Sequence, residues 1–220
     1  IDDPRNHLYK SYVEVVKKVH PKFFVMENVK GMLSVAEQVK EDFCAIGYSV
    51  ECHILNAKNF GVPQNRERLI YIGNCLGIDN EQIFNEIFAL SENIPEHNLG
   101  DALFALRELE ASRVKNATES GSVESGYKIE KNNSIEINNY ISYINQNRTI
   151  NVVLNHKARY NNDRDIEIYG RMEPGDRSDD PKIADIMPYA RRNDIFKDKY
   201  FKLENDKVCK TITAHMKFDC

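Results

Sequence analysis

Pro21-Lys22-Phe23-Phe24-Val25-Met26-Glu27-Asn28-Val29-Lys30-Gly31 contains a short continuous apolar run, Phe23 to Met26, that stops at a carboxylate. A run too short for a helix and uninterrupted by polar residues is expected of a strand buried on both faces, and Gly31 breaks the chain behind it. Glu27 is then expected to project from the carboxyl end of that strand, where open α/β sheets place their ligands. Partial burial of a carboxylate there would raise its pKa and let it hold a proton near neutrality. Taken alone, the tripeptide is better explained by a surface glutamate in a strand-to-loop turn.

On the amino-terminal side, residues 4 to 19 read as an amphipathic helix. Asp3 can cap it, Pro4 suits its first position, and Leu8, Tyr12, Val15, Val16 and Val19 recur at helical spacing before Pro21 ends it. After Gly31 a second helix is expected. Ser34 and Glu37 have the spacing of a capping box, Val35, Val39, Phe43 and Ile46 form its apolar stripe, and Gly47 is placed to stop it. Strand patterns at 48 to 56 and 67 to 73 flank a connection containing Gly61 and Pro63. Helix and strand in alternation with short connections predict a layered α/β sheet covered by helices.

Helical patterns resume at 79 to 90, with Ile83, Phe84, Ile87 and Phe88 on one face, and near 100 to 110, with Leu103, Leu106 and Leu109. From 111 to 151 Asn, Ser, Glu and Lys dominate, which predicts a loop-rich insertion or boundary rather than a core element. The last 70 residues carry 14 Lys+Arg against 13 Asp+Glu, too even a balance to identify a nucleic-acid binder by charge alone.

The chain of 220 residues is long enough for a real core, and no apolar run approaches the roughly 20 residues of a membrane span. Five cysteines, Cys44, Cys52, Cys75, Cys209 and Cys220, are odd in number and form no C-x-x-C pair, so neither a disulfide framework nor a zinc ribbon is encoded. No metal site is expected, and a reducing, cytoplasmic setting fits best. Cys44 and Cys52 fall in helix and strand patterns and read as small core residues. Ile1-Asp2-Asp3-Pro4-Arg5 is no signal peptide, and the abrupt start is expected of a piece of a longer protein.

Gln64-Asn65-Arg66-Glu67-Arg68 leads into the strand Leu69 to Gly73. Alternation along an extended segment places Gln64, Arg66 and Arg68 on one side, opposite Asn65 and Glu67. Two aligned guanidiniums suit a phosphate or a base carbonyl, and they equally suit a structural ion pair with a neighbouring carboxylate.

Together these stretches are more specific than either alone. The segment from Pro21 to Gly31, followed by Leu55-Asn56-Ala57-Lys58-Asn59-Phe60-Gly61-Val62-Pro63-Gln64-Asn65-Arg66-Glu67-Arg68, closely resembles the DNA cytosine-5 methyltransferases, in which Glu-Asn-Val and Gln-x-Arg-x-Arg occur in this order. Asp3-Pro4-Arg5-Asn6 resembles the segment just past that family's catalytic loop. Asn155-His156-Lys157-Ala158-Arg159 and Lys210-Thr211-Ile212-Thr213-Ala214-His215 resemble its target-recognition region.

The resemblance implies a partial Rossmann-like methyltransferase sheet with covering helices over residues 1–110. A smaller, irregular target-recognition region over 111–220 follows, with the insertion at 111–151. It implies methyl transfer from S-adenosylmethionine to C5 of a cytosine flipped out of double-stranded DNA, in bacterial restriction-modification. A cysteine thiolate adds to C6 and pushes electron density toward N3. Glu27 matches the residue beside N3, Arg68 the residue at the base carbonyl O2, and Arg66 its companion in the pocket. Gln64, Asn28, Thr211, Thr213 and Arg159 are the DNA contacts it implies. Thr211 reads as well as an ordinary β-branched strand residue. Further basic candidates are His156, Lys157, Arg164, Arg171, Arg177, Arg191 and Arg192.

No cysteine here follows a proline, so the family's Pro-Cys nucleophile is absent, as is its glycine-rich cofactor element. The chain is expected to be inactive alone, not to bind S-adenosylmethionine, and to need the missing amino-terminal part of the same catalytic domain. The other class it permits is a non-catalytic DNA-binding module derived from such an enzyme; an unrelated nucleotide-binding α/β protein would require the motif order to be accidental. The enzyme reading requires Glu27 and Arg68 to face the same side of the sheet.

Overall fold

A computed structural model of the chain describes residues 8–115, 121–131, 136–146, 148, 151–188 and 200–211. The chain divides into two compact units, Ile1–Glu96 and His97–Cys220, a division 14 residues earlier than the change in composition at 111.

The first unit opens with helix α1 (Leu8–Val19), strand β1 (Phe23–Val29), a 3₁₀ turn at Lys30–Val35 and helix α2 (Ala36–Cys44). Strand β2 (Ser49–Asn56), a 3₁₀ turn at Ala57–Phe60, the two-residue strand β3 (Gln64–Asn65), strand β4 (Glu67–Asn74) and helix α3 (Asn80–Ser91) follow. The sheet order is β1-β4-β2, with β4 antiparallel to both neighbours, so β1 and β2 run parallel to each other with β4 inserted between them. This agrees with the α/β layering read from the sequence.

One face of the sheet carries the core. Phe24, Leu69 and Tyr71 pack with Val13 and Val16 of α1 and with Ala36, Val39 and Phe43 of α2. The rings of Phe24 and Phe43 stack at 4.2 Å, and Phe24 lies over Gly73, where an added Cβ would stand 2.2 Å from its ring. The expected stripe of α2 is the observed one, with Val35 and Ile46 packed at its margins. Gly47 takes the left-handed conformation, φ +90°, that returns the chain toward β2.

Several local expectations are corrected. Strand β1 is not buried on both faces: Phe23 and Val25 are 43% and 63% exposed, and α3 packs mainly on β2 and β4. The buried face of α1 is Tyr9, Val13 and Val16, while Leu8, Val15 and Val19 form an exposed stripe at i, i+7 and i+11. An apolar stripe shows only that a helix has something to bury, not which part of it the described residues cover. No capping box forms at α2; its first helical residue is Ala36 after the 3₁₀ turn, and the Ser34 hydroxyl donates to the Gly31 carbonyl instead. Cys44 is exposed at the end of α2, whereas Cys52 packs against the core as expected. The expected cap of α1 by Asp3 and Pro4 lies outside the described residues.

The second unit holds helix α4 (Leu99–Leu103), strand β5 (Gly126–Lys131), helix α5 (Asn139–Ile144), strand β6 (Val152–Lys157), helix α6 (Asp163–Arg171) and the two-residue strand β7 (Cys209–Lys210). The helix expected over 100 to 110 is confined to five residues, held by a reciprocal capping box between Asn98 and Asp101. The stretch 111–151 is not wholly loop. β5 pairs antiparallel with β6, and α5 buries Tyr140 and Ile141. A separate small core gathers Ile168, Met172, Ile183, Met187 and Tyr200, and Tyr200 donates to the buried Asp165 carboxylate at 2.9 Å.

Candidate active site

Register alone brings the acid and the guanidinium together. Glu27 lies directly opposite Ile70 in the β1·β4 ladder, so Arg68, two residues along β4, is its diagonal neighbour on the same face. Arg68 Nε stands 2.7 Å from Glu27 Oε1, and Arg66 Nη2 lies 4.0 Å from the same oxygen. Arg68 Nη1 also donates to the Glu67 carbonyl at 2.7 Å, which fixes the plane of the guanidinium. Glu27 lies within β1 rather than beyond its end, and its side chain is 52% exposed against 21% for Arg68. The burial invoked from sequence is therefore absent, and proximity to the guanidiniums dominates the carboxylate's environment.

The alternation read from the sequence holds for this pair and its neighbours. Glu67, between the two arginines, pairs with Lys30 at 3.0 Å, and Asn65 accepts from the Asn56 amide. The connection 57–66 is closed at its base by Ala57 N donating to Arg66 O at 3.0 Å, and Gly61 at φ +76° makes its turn. Asn56 went unnoticed as a site residue in the sequence, although an Asn ending a strand before a helical turn is a recognisable capping signal. Its side chain accepts from Lys58 N and Arg66 N.

Other expected site residues are not brought to this pair. Asn28 follows Glu27 in an extended strand and so lies on the opposite face, where its side chain accepts from Val29 N. Gln64 is half-buried in β3, its backbone N–H donating to the Val62 carbonyl. Arg159 is exposed and Thr211 half-buried, both in the second unit; Thr213, Arg191 and Arg192 lie outside the described residues. Arg171 pairs with the Asp185 and Glu167 carboxylates, and the His156 ring bonds the Arg107 carbonyl.

Among the described residues, the turns after β1 and β4 do not fit a main site for S-adenosylmethionine. The turn after β1 has one glycine, Gly31, and enters a 3₁₀ turn, while the helix after β4 has its amino terminus capped by the Asp79 carboxylate. Neither is a glycine-rich turn onto an open helix terminus of the kind that cradles a nucleotide.

The first unit thus sets one acid against two arginines on adjacent strands. The family model for C-5 cytosine-specific DNA methylases matches residues 1–217, and the chain belongs to that family. It is 42% identical over 116 residues to the type II methyltransferase M1.HphI of Haemophilus parahaemolyticus, a match covering 50% of this chain and 29% of that protein. It is 46% identical over 92 residues to M.BspRI of Lysinibacillus sphaericus, covering 40% and 22%. A crystal structure assigned as a DNA modification methyltransferase encoded within an E. coli prophage superposes with a TM-score of 0.60 at 16% identity, over 96% of this chain and 58% of that one, which shows the shared fold. The chain thus spans under a third of these two sequence relatives. Among the described residues no helix is long and apolar enough to cross a membrane.

Proposed function

We propose that this chain supplies the base-gripping part of a bacterial DNA cytosine-5 methyltransferase of the restriction-modification kind. Its first unit belongs to the catalytic domain and its second to target recognition. The observation that carries the reading is the convergence of Glu27, Arg68 and Arg66 on one face of the sheet. Attack at C6 of a flipped cytosine sends negative charge toward N3 and O2. The Glu27 carboxylate can hydrogen-bond a protonated N3, and the Arg68 guanidinium, already oriented by the Glu67 carbonyl, can donate to O2. The ion pair between them sets the carboxylate's orientation before the base arrives.

S-adenosylmethionine, when bound to the complete enzyme, supplies the methyl group. Two exposed apolar sets, Leu8, Val15 and Val19 on α1 and Phe23, Val25 and Val29 on β1, support the view that further chain of the same catalytic domain covers this unit. With no Pro-Cys dipeptide, the 220 residues alone are inactive. Double-stranded DNA is the partner and the cytoplasm the setting.

The test is fluorocytosine trapping by the polypeptide extended upstream through a Pro-Cys loop. A covalent adduct with duplex DNA, formed much more slowly after Glu27→Gln, is the expected result. DNA binding that persists with no adduct under any complementation would refute it in favour of a non-catalytic binding module.

A further inference from the structure

We propose that Asn56 is the positioning residue of this site: its side-chain amide ties together the two ends of the 57–66 connection and thereby sets where Arg66 and Arg68 stand against Glu27. The kinetic consequence rests on the methyltransferase reading; the structural content does not.

Asn56 ends β2, and its backbone is paired with Glu67, the residue between the two arginines. The chain leaves the sheet at Asn56 and returns to the same rung eleven residues later, at Glu67. Three side-chain bonds span that gap: Oδ1 accepts from Lys58 N at 3.3 Å and from Arg66 N at 3.1 Å, and Nδ2 donates to Asn65 Oδ1 at 2.6 Å. Both acceptor positions and one of the two donors of the amide are thus engaged. No apolar side chain makes these bonds, and glutamine would carry the amide one methylene too far.

The group fastened by Asn56 is the backbone from which the Arg66 side chain departs. Arg66 Nη2 is already at 4.0 Å from Glu27, the outer limit of an ion pair, so a small drift of this backbone removes it from the site. Misplacing a reacting geometry by roughly 1 Å costs about a hundredfold in rate. Asn56 itself touches neither Glu27 nor Arg68 through any of these bonds, and it lies at the end of β2 outside the buried cluster, so its effect runs through Arg66 rather than through the core.

The test uses Asn56→Leu and Asn56→Asp in the intact methyltransferase polypeptide that carries this chain. Amide hydrogen exchange at Lys58 and Arg66 reads the bonds directly, without chemistry. Asn56→Leu is expected to speed exchange at both amides by about tenfold or more. Single-turnover methylation, normalised to fluorocytosine-titrated active sites, should fall about 10- to 100-fold while DNA affinity stays within about threefold. Asn56→Asp keeps the acceptor and lets the Asn65 amide turn to donate, so it should restore both readouts. Unchanged exchange in Asn56→Leu, unchanged turnover per active site, or no rescue by Asn56→Asp would overturn the proposal. So would failure of Asn56→Leu to fold, since that would make Asn56 a folding residue. An unaltered enzyme that forms no adduct would refute the methyltransferase reading instead, and the exchange data would still decide the role of Asn56 in the loop.

Discussion

Replacing Glu27 by glutamine separates a structural ion pair from a catalytic acid, because the two roles predict losses that do not overlap. The side chain keeps its length and loses its charge. In the structure the carboxylate meets Arg68 Nε at 2.7 Å, yet it is 52% exposed, and pairs of that exposure contribute about 0.2–1 kcal/mol. If stabilising the sheet were its only task, no rate or equilibrium would change by more than about fivefold, the equivalent of 1 kcal/mol. An acid placed beside developing charge contributes about 10²- to 10⁴-fold.

The measurements, made on the polypeptide extended upstream through a Pro-Cys loop, are single-turnover transfer of a labelled methyl group to one cytosine in a duplex, duplex affinity at fixed salt, and the urea midpoint. The expected result for Glu27→Gln is a rate loss of about a hundredfold or more, with affinity changed less than about fivefold and the midpoint nearly unmoved. A rate loss of fivefold or less, or parallel losses in rate and affinity, would refute the role assigned to Glu27.

Three further outcomes follow from the first unit. Asn74 is fully buried and binds Ile78 O and Asn80 Oδ1 while accepting from Leu76 N and Ile78 N, so Asn74→Ala should cost about 2–4 kcal/mol in urea denaturation by stranding several of these groups. Gly73→Ala drives a methyl into the stacked Phe24 ring and should cost about 1–3 kcal/mol in the same assay. Burial pushes the Tyr71 phenol up to about 12, and burial with a hydrogen bond to Asp42 does the same for Tyr9. Both favour the neutral form in the folded state, so their stabilisation is complete below pH 10 and lost as pH rises from 10 toward 12. The denaturation midpoint should fall across that window, and Tyr9→Phe should shallow the fall.

The sequence disclosed some levels of this structure better than others. Strand and helix existence in the first 91 residues was legible because apolar period and punctuation agree there: Gly47 stops α2 and Gly61 turns the 57–66 connection. Which face each element buries was less legible, because Leu8, Val15 and Val25 are apolar yet exposed among the described residues. Capping was misread where two signals competed. Ser34 and Glu37 have capping-box spacing, but the 3₁₀ turn begun at Lys30 engages Ser34 with Gly31. In the second unit, β5 and α5 were hidden by a polar composition, since β5 buries little beyond Gly126 and α5 only Tyr140 and Ile141. Of the candidate site, Arg66 and Arg68 were legible from alternation; the opposite facing of Glu27 and Asn28 follows from the same rule once both lie within a strand.

The same alternation links stability to the site. Along β4, Leu69 and Tyr71 are completely buried on one face, and they alternate with Arg68 and Ile70 on the other. A slip of one residue would carry Arg68 into the core and Leu69 into water, a change strongly opposed by burial. The register that places Arg68 beside Glu27 is therefore enforced from the far side of the sheet, by side chains that touch neither. Shape-conserving changes at Leu69 should leave the pair intact, whereas a polar residue there should loosen the register and the site together. The arginine gains its precision from its neighbours' hydrophobicity, which is why an exposed ion pair of modest strength can still hold one geometry.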